Sequence, residues 1–391
     1  MTYTLPTGYI PLTDAAPLVI ARALGFDEEE GLHLDLHRAP SWSALRDYLA
    51  LGRVEAAHLL APLPIATALG LGGSAQPLEV LSVLSLNGNV IGVSPGLAQQ
   101  MRRNGYRFDF KDARTAGTAL LALDQPLRVG VPFPFSMHAE LLFYWLEALG
   151  LPADKRPSIH TVPPPLMAEA MAKGEIDAFC VGEPWGTISV ENGVGELLLP
   201  GSAIWQSAPE KVLATRHGWA DRHPDLAGRL IRCLWRAARW LGNAQNMTTC
   251  AEILSRPEYL GVSPDLIDRA LSGRLVISPR GETRQCDRFV AFFDGAATFP
   301  WQSQAAWIGV QLARRHGCDP VKSAQSAQAV FRADLHRLHL AQVTRDLPGA
   351  SAKVEGTLTH PSALGSENGR LILPPDSFFD GRIFDPSAPV R

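Results

Sequence analysis

The sequence predicts an α/β protein whose sheets are mostly parallel and flanked by helices, and which is divided into two or more lobes. Three observations lead to this prediction. Strand-like apolar runs alternate with amphipathic helix patterns over residues 9–60, and a second unit of the same kind begins near residue 127. The length of 391 residues also exceeds what a single core usually contains.

The first unit begins with a short apolar strand over residues 9–12. Asp14 is a favourable N-cap for the helix that follows, and Pro17 lies in its first turn, where a missing N–H costs little. Gly25 is placed to end this helix. The polar turn at Asp14 therefore lies at the carboxyl end of a predicted strand.

The same pattern then repeats. A strand over residues 33–37 precedes a helix that Ser41 caps and that begins with Trp42, and a third strand covers residues 56–60. The order β-α-β-α-β implies a parallel sheet, and ligands bind such sheets at the carboxyl ends of the strands. Both strand-to-helix turns are thus candidates for one site.

The rest of the chain continues the alternation and ends in an irregular segment. Residues 344–391 have the proline, glycine and serine content of an extended tail that wraps a surface. The intervening predicted elements are strands over residues 79–94, 127–132 and 176–181, a partly helical insertion over residues 97–122, a helix opened by His138, a short helix over residues 163–173 and an amphipathic helix over residues 224–241.

Composition describes a globular protein with no general attraction to nucleic acid. Hydrophobic residues make up 46% of the chain and charged residues 19%, so the sequence has no disordered bulk. The net charge of -3 and the pI near 6.4 do not indicate a nucleic-acid-binding protein.

Cysteine usage and the N-terminus together predict a cytoplasmic protein. The five cysteines are scattered without a C-x-x-C pair, as is typical of a reducing compartment. Residues 1–7 lack the basic, apolar and small-residue regions of a secretory signal, and there is no lipobox cysteine. No run of 18 or more apolar residues is present to span a membrane.

The sequence contains no motif that predicts an enzyme, a cofactor or a metal site. The G-x-x-x-x-G-K-[ST] and H-E-x-x-H patterns are absent. His336 and His339 have helical metal-ligand spacing, but Arg332 and Arg337 lie among them and favour a solvated face.

Several motifs, taken in order, resemble the nitrate-binding proteins of ABC uptake systems, which have the two-lobed type II periplasmic-binding-protein fold. The resemblance covers nearly the whole chain. The motifs are GYIPLTDAAPLVIA (8–21), SW (41–42) followed by RD (46–47), HLLAPLP (58–64), GVPFPFSMH (130–138), DAFCVGEPW (177–185), PEKVL (209–213), FFDG (378–381) and FDP (384–386).

This resemblance implies a ligand cleft between two lobes joined by a hinge. Residues 1–90 and 215–391 are expected to form the first lobe, with the tail from about residue 344 wrapped around it. Residues 91–214 are expected to form the second lobe. The strand over residues 79–94 is expected to cross between the lobes, and Lys211 to lie in or beside the second hinge strand.

Four residues match the ligand-contacting positions of the family: Trp42, Asn89, His138 and Lys211. Without the resemblance, Trp42 reads as a core residue, His138 as a satisfied polar residue and Lys211 as a solvated surface lysine. The related bicarbonate binders have an acidic residue and a metal ion where this chain has Lys211. Lysine therefore implies a metal-free site built wholly of donors for a small planar monoanion, nitrate or nitrite.

Four further residues are expected to surround this site. Asn87 is an alternative to Asn89, since either amide can donate a hydrogen bond to the anion. Asp14 is expected beside the ligand residues. Glu183 and Trp185 belong to a GEPW turn that either orders the hinge or simply ends a strand.

A binding protein that stays in the cytoplasm cannot deliver nitrate to an importer from outside. The chain most resembles the cytoplasmic nitrate/nitrite sensors of assimilation operons (NasS type). In that family the ligand-free sensor holds an RNA-binding ANTAR-domain antiterminator (NasT type) inactive, and ligand releases it. The sensor itself would not contact RNA or a membrane.

Two alternatives remain open at this stage. The first is a solute-binding component of an ABC transporter for nitrate, nitrite, sulfonate or bicarbonate. The second is an enzyme similar to the pyrimidine-precursor synthases of thiamine biosynthesis, which share the two-lobed fold. Those enzymes carry a cysteine-rich motif, whereas this chain has only the isolated Cys180 in the corresponding strand.

Overall fold

Two mixed sheets, each flanked by helices, form two lobes in the computed structural model, which describes residues 2–73, 76–123 and 126–388. The order of the first sheet is β13-β4-β10-β3-β1-β2, and that of the second is β7-β6-β8-β5-β9. The strands are β1 (Tyr3–Tyr9), β2 (Leu32–Arg38), β3 (Ala56–Leu60), β4 (Leu78–Asn87), β5 (Asn89–Val93), β6 (Arg128–Val131), β7 (Ser158–Thr161), β8 (Ala178–Gly182), β9 (Glu196–Pro200), β10 (Pro209–Arg216), β11 (Arg274–Val276), β12 (Thr283–Gln285), β13 (Val290–Ala291), β14 (Ser362–Ala363) and β15 (Ile372–Leu373).

Helices cover both sheets, and seven of them follow β10 in the described residues. They are α1 (Ala16–Ala23), α2 (Phe26–Glu29), α3 (Trp42–Ala50), α4 (Pro62–Ala68), α5 (Pro95–Arg103), α6 (Ala113–Leu121), α7 (Met137–Ala148), α8 (Met167–Ala172), α9 (Trp185–Glu191), α10 (Trp219–Arg222), α11 (Pro224–Leu241), α12 (Met247–Leu254), α13 (Pro264–Ser272), α14 (Gln302–His316), α15 (Pro320–Val330) and α16 (Ala333–Leu340). The predicted α/β, two-lobed fold class is confirmed.

The N-terminal unit has the predicted order, but its first strand lies earlier than expected. β1 ends at Tyr9, and the residues predicted as strand lead instead into a short 3-10 turn over Thr13–Ala15. Asp14 caps no helix; its side chain is buried. The second cap is confirmed, because Ser41 Oγ accepts a hydrogen bond from the backbone N–H of Ala44 at 3.2 Å.

The first crossing between the lobes is a break in one long strand pattern. The predicted strand over residues 79–94 divides at Gly88, and β4 belongs to the first sheet while β5 belongs to the second. Asn87 has a φ of 59° and Gly88 a φ of 90°, both in the left-handed region that asparagine and glycine tolerate best. The turn in the chain therefore depends on these two residues.

The second crossing lies beside the first and comes earlier than the sequence predicted. Asn87 Nδ2 donates to the carbonyl oxygen of Gln206 at 2.9 Å, and Asn87 Oδ1 accepts from the N–H of Ala208 at 3.2 Å. β10 then pairs with β3 and β4 of the first sheet. Residues 209–214 thus belong to the first sheet, not to the expected second lobe of residues 91–214.

Both sheets are mixed and not mostly parallel as predicted, because the crossing strands run antiparallel to their neighbours. β10 is antiparallel to β3 and β4, and β5 is antiparallel to β8 and β9. The strands from the β-α-β units remain parallel, as in the β1–β2, β1–β3 and β6–β7 pairs. Each lobe therefore keeps a parallel half, at whose carboxyl edge a ligand site is expected.

The insertion over residues 97–122, predicted as irregular and partly helical, contains two helices, α5 and α6, on either side of a non-helical segment. Ser94 Oγ caps α5 and Asp112 Oδ1 caps α6, each by accepting a backbone N–H three residues later. The buried indole of Trp145 on α7 donates to the carbonyl oxygen of Ala113 at 2.7 Å. These helices are part of the core of the second lobe.

The C-terminal segment was expected to wrap the first lobe, but its described part also contacts the second lobe. Met1 and residues 389–391 lie outside the described part. Phe378 stacks on Trp205, with ring centroids 4.8 Å apart, and packs against Trp307. Tyr144 on α7 donates to Asp380 at 2.9 Å. The tail therefore joins the second lobe to the helices that follow β10.

The solvated face expected around His336 is wrong. His336 is buried, and its Nδ1 lies 2.9 Å from Ser82 Oγ and 3.0 Å from the carbonyl oxygen of Leu81 on β4. Burial lowers the pKa of His336 to about 4, so it is a neutral core residue.

Residues 2–73, 76–123 and 126–388 contain no cluster of three or more histidine, cysteine or acidic side chains arranged to hold a metal ion. No helix in the same residues is both long and apolar enough to cross a membrane.

Candidate functional site

The candidate site is a buried cluster of polar side chains between the two lobes, centred on Lys211. Lys211 lies on β10, one of the two strands next to the crossings. The turn before α1, the N-terminus of α3, β3 and the N-terminus of α7 supply the other side chains. Each has at most 2% of its surface exposed, so the lobes are closed over the cluster.

An irregularity in β10 brings two consecutive side chains to this cluster. The register of β10 against β4 shifts between Pro209 and Lys211 and again between Lys211 and Val212. On a regular strand, neighbouring side chains point to opposite faces, whereas a bulge re-aims one of them. Glu210 Oε1 consequently accepts a hydrogen bond from Lys211 Nζ at 3.0 Å.

Lys211 also forms an ion pair with Asp14, at 2.7 Å from Nζ to Oδ2. Burial alone would lower the pKa of Lys211, but Asp14 and Glu210 outweigh it and raise that pKa. Burial would likewise raise the pKa of Asp14, yet Lys211 and His58 lower it to about 2. The pair is therefore an ammonium and a carboxylate at neutral pH.

His58 and Trp42 complete the first-lobe side of the cluster. His58 Nε2 lies 3.1 Å from Asp14 Oδ1, and burial lowers the pKa of His58, which keeps the ring neutral. The Trp42 ring lies 5.6 Å from Lys211 Nζ and 5.6 Å from the His58 ring. Trp42 Nε1 is buried and has no hydrogen-bond partner among the residues that the structure describes, so it is a spare donor.

Glu210 joins the two lobes and contacts three of the four predicted ligand residues. Besides its bond to Lys211, its Oε1 lies 3.2 Å from His138 Nδ1 on α7. Its Oε2 accepts a hydrogen bond from Asn89 Nδ2 at 2.7 Å. Burial raises the pKa of Glu210 to about 7, although Lys211 acts against this.

His138 is the second residue of α7, just inside the helix that Ser136 caps. Burial and the positive charge of Lys211 hold the pKa of His138 well below its usual range, so the ring is neutral. Neither ring nitrogen has a hydrogen-bond partner within the described ranges, and Nε2 is the one that faces Gly182. That nitrogen lies 4.0 Å from the point that a Cβ on Gly182 would occupy.

Sequence reasoning did not identify Glu210 or Gly182. Glu210 was hidden because strand alternation places it opposite Lys211, and only the register shift overrides this. A Cβ on Gly182 would lie 3.2 Å from Leu12 Cδ2 and 3.6 Å from Asp14 Oδ2. The acidic residue next to a lysine on an apolar strand was a signal that could have revealed Glu210.

The residues expected around the site have different positions. Asp14 is in direct contact with Lys211, whereas Asn87 bonds to the second crossing and not to the cluster. The carbonyl oxygen of Glu183 accepts the N–H of Thr13 at 2.9 Å, and Trp185 Nε1 donates to the carbonyl oxygen of Pro11 at 3.1 Å. Glu183 and Trp185 therefore hold the β1–α1 turn against the second lobe.

The cluster brings Trp42, Asn89, His138 and Lys211 together, but it does not consist wholly of donors. That expectation is wrong because two carboxylates, Asp14 and Glu210, lie within 3.0 Å of Lys211 Nζ. One N–H of the Asn89 amide donates to Glu210 and is not available to a ligand. Trp42 Nε1 and the ring nitrogens of His138 are among the buried atoms that have no hydrogen-bond partner in the described residues, so they can donate to a ligand when they carry a proton.

Comparison with known proteins adds a family and several relatives. The model of the NMT1-like family matches residues 2–255. The nitrate/nitrite binding protein NrtA of Synechocystis is 31% identical over 400 residues, which cover 99% of this chain and 83% of that protein. The corresponding NrtA of Nostoc is 29% identical, with 98% of this chain and 83% of that protein covered.

Other relatives differ in length or in named ligand. The nitrate import ATP-binding protein NrtC of Synechocystis is 32% identical over 85% of this chain, which spans only 49% of that longer protein. The bicarbonate-binding protein CmpA of Synechococcus elongatus is 28% identical over 99% of this chain and 85% of that protein.

The solved structures agree with this grouping. The crystal structure of the periplasmic nitrate-binding protein NrtA of Synechocystis superposes with a TM-score of 0.82 at 27% identity, covering 99% of this chain and 97% of that one. A ligand-binding component of an ABC-type import system of Staphylococcus aureus has a TM-score of 0.65 at 18% identity, with 86% and 98% covered, and shows the shared fold alone.

Proposed function

This chain belongs to the NMT1-like family together with the NrtA nitrate/nitrite binding proteins, and on that premise we propose that it is a cytoplasmic sensor of nitrate or nitrite. The ligand binds at the Lys211 cluster. The sensor controls an RNA-binding ANTAR-domain antiterminator of nitrate assimilation and releases it when ligand closes the two lobes.

One observation carries the anion-binding part of this proposal. The buried ammonium of Lys211 lies 5.6 Å from the ring of Trp42, whose Nε1 has no partner in the described part of the chain. A buried donor without a partner costs about 1–3 kcal/mol, so a site that keeps one must recover that cost when ligand binds. A planar oxyanion can accept from the ammonium and the indole together.

The arrangement of charges favours a monoanion over a metal-dependent ligand. Asp14 and Glu210 both bond to Lys211, so lysine is the cation that these carboxylates need. In the family, the bicarbonate binders have an acidic residue and a metal ion at the corresponding position. Lys211 supports nitrate or nitrite instead, although bicarbonate-binding relatives are almost as similar to this chain.

The size of the ligand limits its affinity. Nitrate has four heavy atoms, and the best small ligands gain about 1.5 kcal/mol per atom, or about 6 kcal/mol in all. This corresponds to a Kd on the order of tens of micromolar. Sensing in the micromolar range is therefore the expected behaviour.

Ligand binding is read out through closure of the lobes. The Thr13–Glu183 and Pro11–Trp185 hydrogen bonds and the Glu210–His138 contact all connect the first-lobe side of the cleft to the second lobe. An anion held by Lys211 and His138 stabilises this closed form relative to an open one. The partner is released because the closed form loses the surface that the open form presents.

Two observations are compatible with the sensor part of this proposal. The net charge of -3 gives the chain no attraction to RNA, so control of transcription requires a protein partner. NrtC, the relative named as an ATP-binding import protein, contains a region similar to 85% of this chain. A unit similar to most of this chain therefore also occurs within a longer relative that is named for ATP binding.

A second candidate function is the solute-binding component of an ABC transporter. The NrtA relatives are named nitrate/nitrite binding proteins, and the solved NrtA is periplasmic. The same cluster would then bind the same anion, and the partner would be a membrane permease. The two candidates differ in the partner and not in the ligand.

Calorimetric titration of the purified protein tests the ligand. Nitrate, nitrite, bicarbonate with calcium, and taurine are titrated separately in a buffer without sulfonates. We expect micromolar binding of nitrate or nitrite alone. Binding of bicarbonate or taurine in the absence of nitrate and nitrite binding would contradict the anion assignment.

The partner is tested by mixing the protein with the ANTAR-domain antiterminator of the same organism. We expect one complex on size-exclusion chromatography without ligand, and two separate proteins after nitrate is added at a saturating concentration. Lys211→Met is the matched control, which should keep the complex in both conditions. A mixture that never forms a complex would favour the transporter component.

A further inference from the structure

Glu210 occupies the donors that a bound anion would need. Its Oε1 accepts from Lys211 Nζ at 3.0 Å and lies 3.2 Å from His138 Nδ1, and its Oε2 accepts from Asn89 at 2.7 Å. Three of the four predicted ligand residues thus contact this carboxylate. Glu210 acts as an internal anion in the closed cluster.

The charges around Lys211 make a second anion costly while Glu210 is ionised. The cluster then holds one ammonium and two carboxylates, those of Asp14 and Glu210, so it carries one net negative charge. A bound monoanion would double this charge in a site shielded from water, where like charges repel strongly. Uptake of one proton restores the original charge.

The position of His138 beside Glu210 points the same way. Its Nδ1 lies 3.2 Å from Glu210 Oε1 but has no hydrogen-bond partner in the described residues. The carboxylate favours a proton on this nearer nitrogen, so we take the neutral ring to be protonated on Nδ1. Nε2 is then a bare acceptor and cannot donate to an anion. With an added proton, both ring nitrogens of His138 are donors, so Nδ1 can donate to Glu210 and Nε2 can donate to the ligand.

We propose that anion binding at Lys211 takes up one proton from solvent, which the Glu210–His138 pair holds as a unit. This inference rests on the proposed nitrate or nitrite function and deepens it. The proton moves from water to the pair, and the anion is not chemically changed. Glu210 is therefore a positioning residue that links affinity to pH.

The other titratable groups that face Glu210 keep one charge state near neutrality. Lys211 is protonated and Asp14 is ionised, as their ion pair requires, while His58 behind Asp14 is neutral. Cys180 on β8 is buried, and desolvation and Glu210 hold its pKa well above the usual range, so it stays a thiol. Burial raises the pKa of Glu210 to about 7, which leaves the pair free to gain a proton.

The experiment measures nitrate binding by calorimetry from pH 6 to pH 8.5, in two buffers without sulfonates that differ in ionisation enthalpy. The buffer dependence of the heat gives the number of protons taken up. We expect the wild-type Kd to rise towards tenfold per pH unit above pH 7, with uptake approaching one proton. At pH 6 the uptake should be close to zero.

Two variants locate the proton. Glu210→Gln should bind nitrate with a Kd that does not change across this pH range and without proton uptake. Glu140→Gln is the matched control, since Glu140 is also buried with a pKa raised to about 7 but pairs with Arg315 at 2.7 Å, outside the cluster. It should keep the wild-type pH dependence.

The outcomes separate this inference from the proposed function. Wild-type binding with a flat pH profile and no uptake would overturn the proton coupling and leave nitrate binding standing, whether or not Glu210→Gln folds. A Glu210→Gln variant that keeps the wild-type slope would also overturn it. Absence of nitrate binding at every pH would instead refute the proposed function, and this inference with it.

Discussion

Lys211 Nζ lies 2.7 Å from Asp14 Oδ2, and this ion pair joins the strand of the second crossing to the first strand-to-helix turn of the chain. Both side chains are buried. The contact places the only ammonium of the cluster at the carboxyl end of β1, where the family fold is expected to bind its ligand. Lys211 therefore contributes to the stability of the fold through Asp14 and, in the proposed function, to anion binding.

The two roles of Lys211 can be separated with a double-mutant cycle. Lys211→Met leaves Asp14 buried without its partner, which typically costs about 3–5 kcal/mol, and Asp14→Asn should also destabilise the protein. We expect the double variant to be more stable than the two single effects predict when added, and to bind no nitrate.

Chemical denaturation and calorimetry measure the two properties of this cycle. Charge reversal at Lys211 is a poorer probe, because Lys211→Glu would put a third carboxylate beside Asp14 and Glu210. Additive stability losses would contradict the ion pair. Micromolar nitrate binding by Lys211→Met would contradict the role of the ammonium.

Trp42→Phe removes an indole N–H that has no partner in the described residues. We expect nitrate affinity to fall at least tenfold, because one charge-assisted hydrogen bond contributes about 1.5–3 kcal/mol. The matched control is Trp145→Phe, which removes a buried indole that donates to Ala113 at 2.7 Å. The control should lose more stability and keep its nitrate affinity. Unchanged binding by Trp42→Phe would remove the indole from the proposed site.

Gly182→Ala tests the space between Asp14 and His138. The new Cβ would lie 3.2 Å from Leu12 Cδ2 and 3.6 Å from Asp14 Oδ2. We expect nitrate affinity to fall at least tenfold. Gly195→Ala is the control, since its Cβ would be equally crowded, 3.1 Å from the Phe179 ring, but away from the cluster. Equal nitrate affinity in the two variants would show that Gly182 does not border the ligand.

Glu183→Gln should stabilise the protein more at high pH than at low pH. Burial raises the pKa of Glu183 to about 7, although Thr187 acts against this. A carboxyl with a raised folded-state pKa contributes its full stability below its unfolded value near 4.5, and this stability is lost as the pH rises through about 7. Glutamine has no such loss.

Thermal unfolding of both proteins between pH 5 and pH 8.5 measures this effect. The difference in Tm, variant minus wild type, should grow more positive over that interval. A difference that is constant or falls with pH would mean that Glu183 is ionised in the folded protein without cost.

The main site residues were predicted from their match to the family's ligand-contacting positions, whereas local pattern alone places them only at a helix cap, a helix start and an apolar strand. Trp42 follows a cap at Ser41, His138 opens a helix, and Lys211 adjoins an apolar strand, and the structure brings all three together. Their roles as ligands remain a prediction, since only binding experiments test them.

What the sequence did not reveal depends on contacts between distant segments. Glu210 reaches the cluster through a register shift in β10, which no alternation pattern contains. His336 is buried because Leu81 and Ser82 lie against it from a strand more than 250 residues earlier. Gly182 is important because any side chain there would crowd Leu12 and Asp14. Such features require the assembled sheet.

The crystal structure of the protein grown with nitrate tests the central claim most directly. We expect the anion between the lobes, within hydrogen-bond distance of Lys211 Nζ, Trp42 Nε1 and His138 Nε2, and we expect no anion there in crystals of Lys211→Met. Nitrate found only outside this cluster, or wild-type crystals whose cluster holds none at saturating nitrate, would contradict the account.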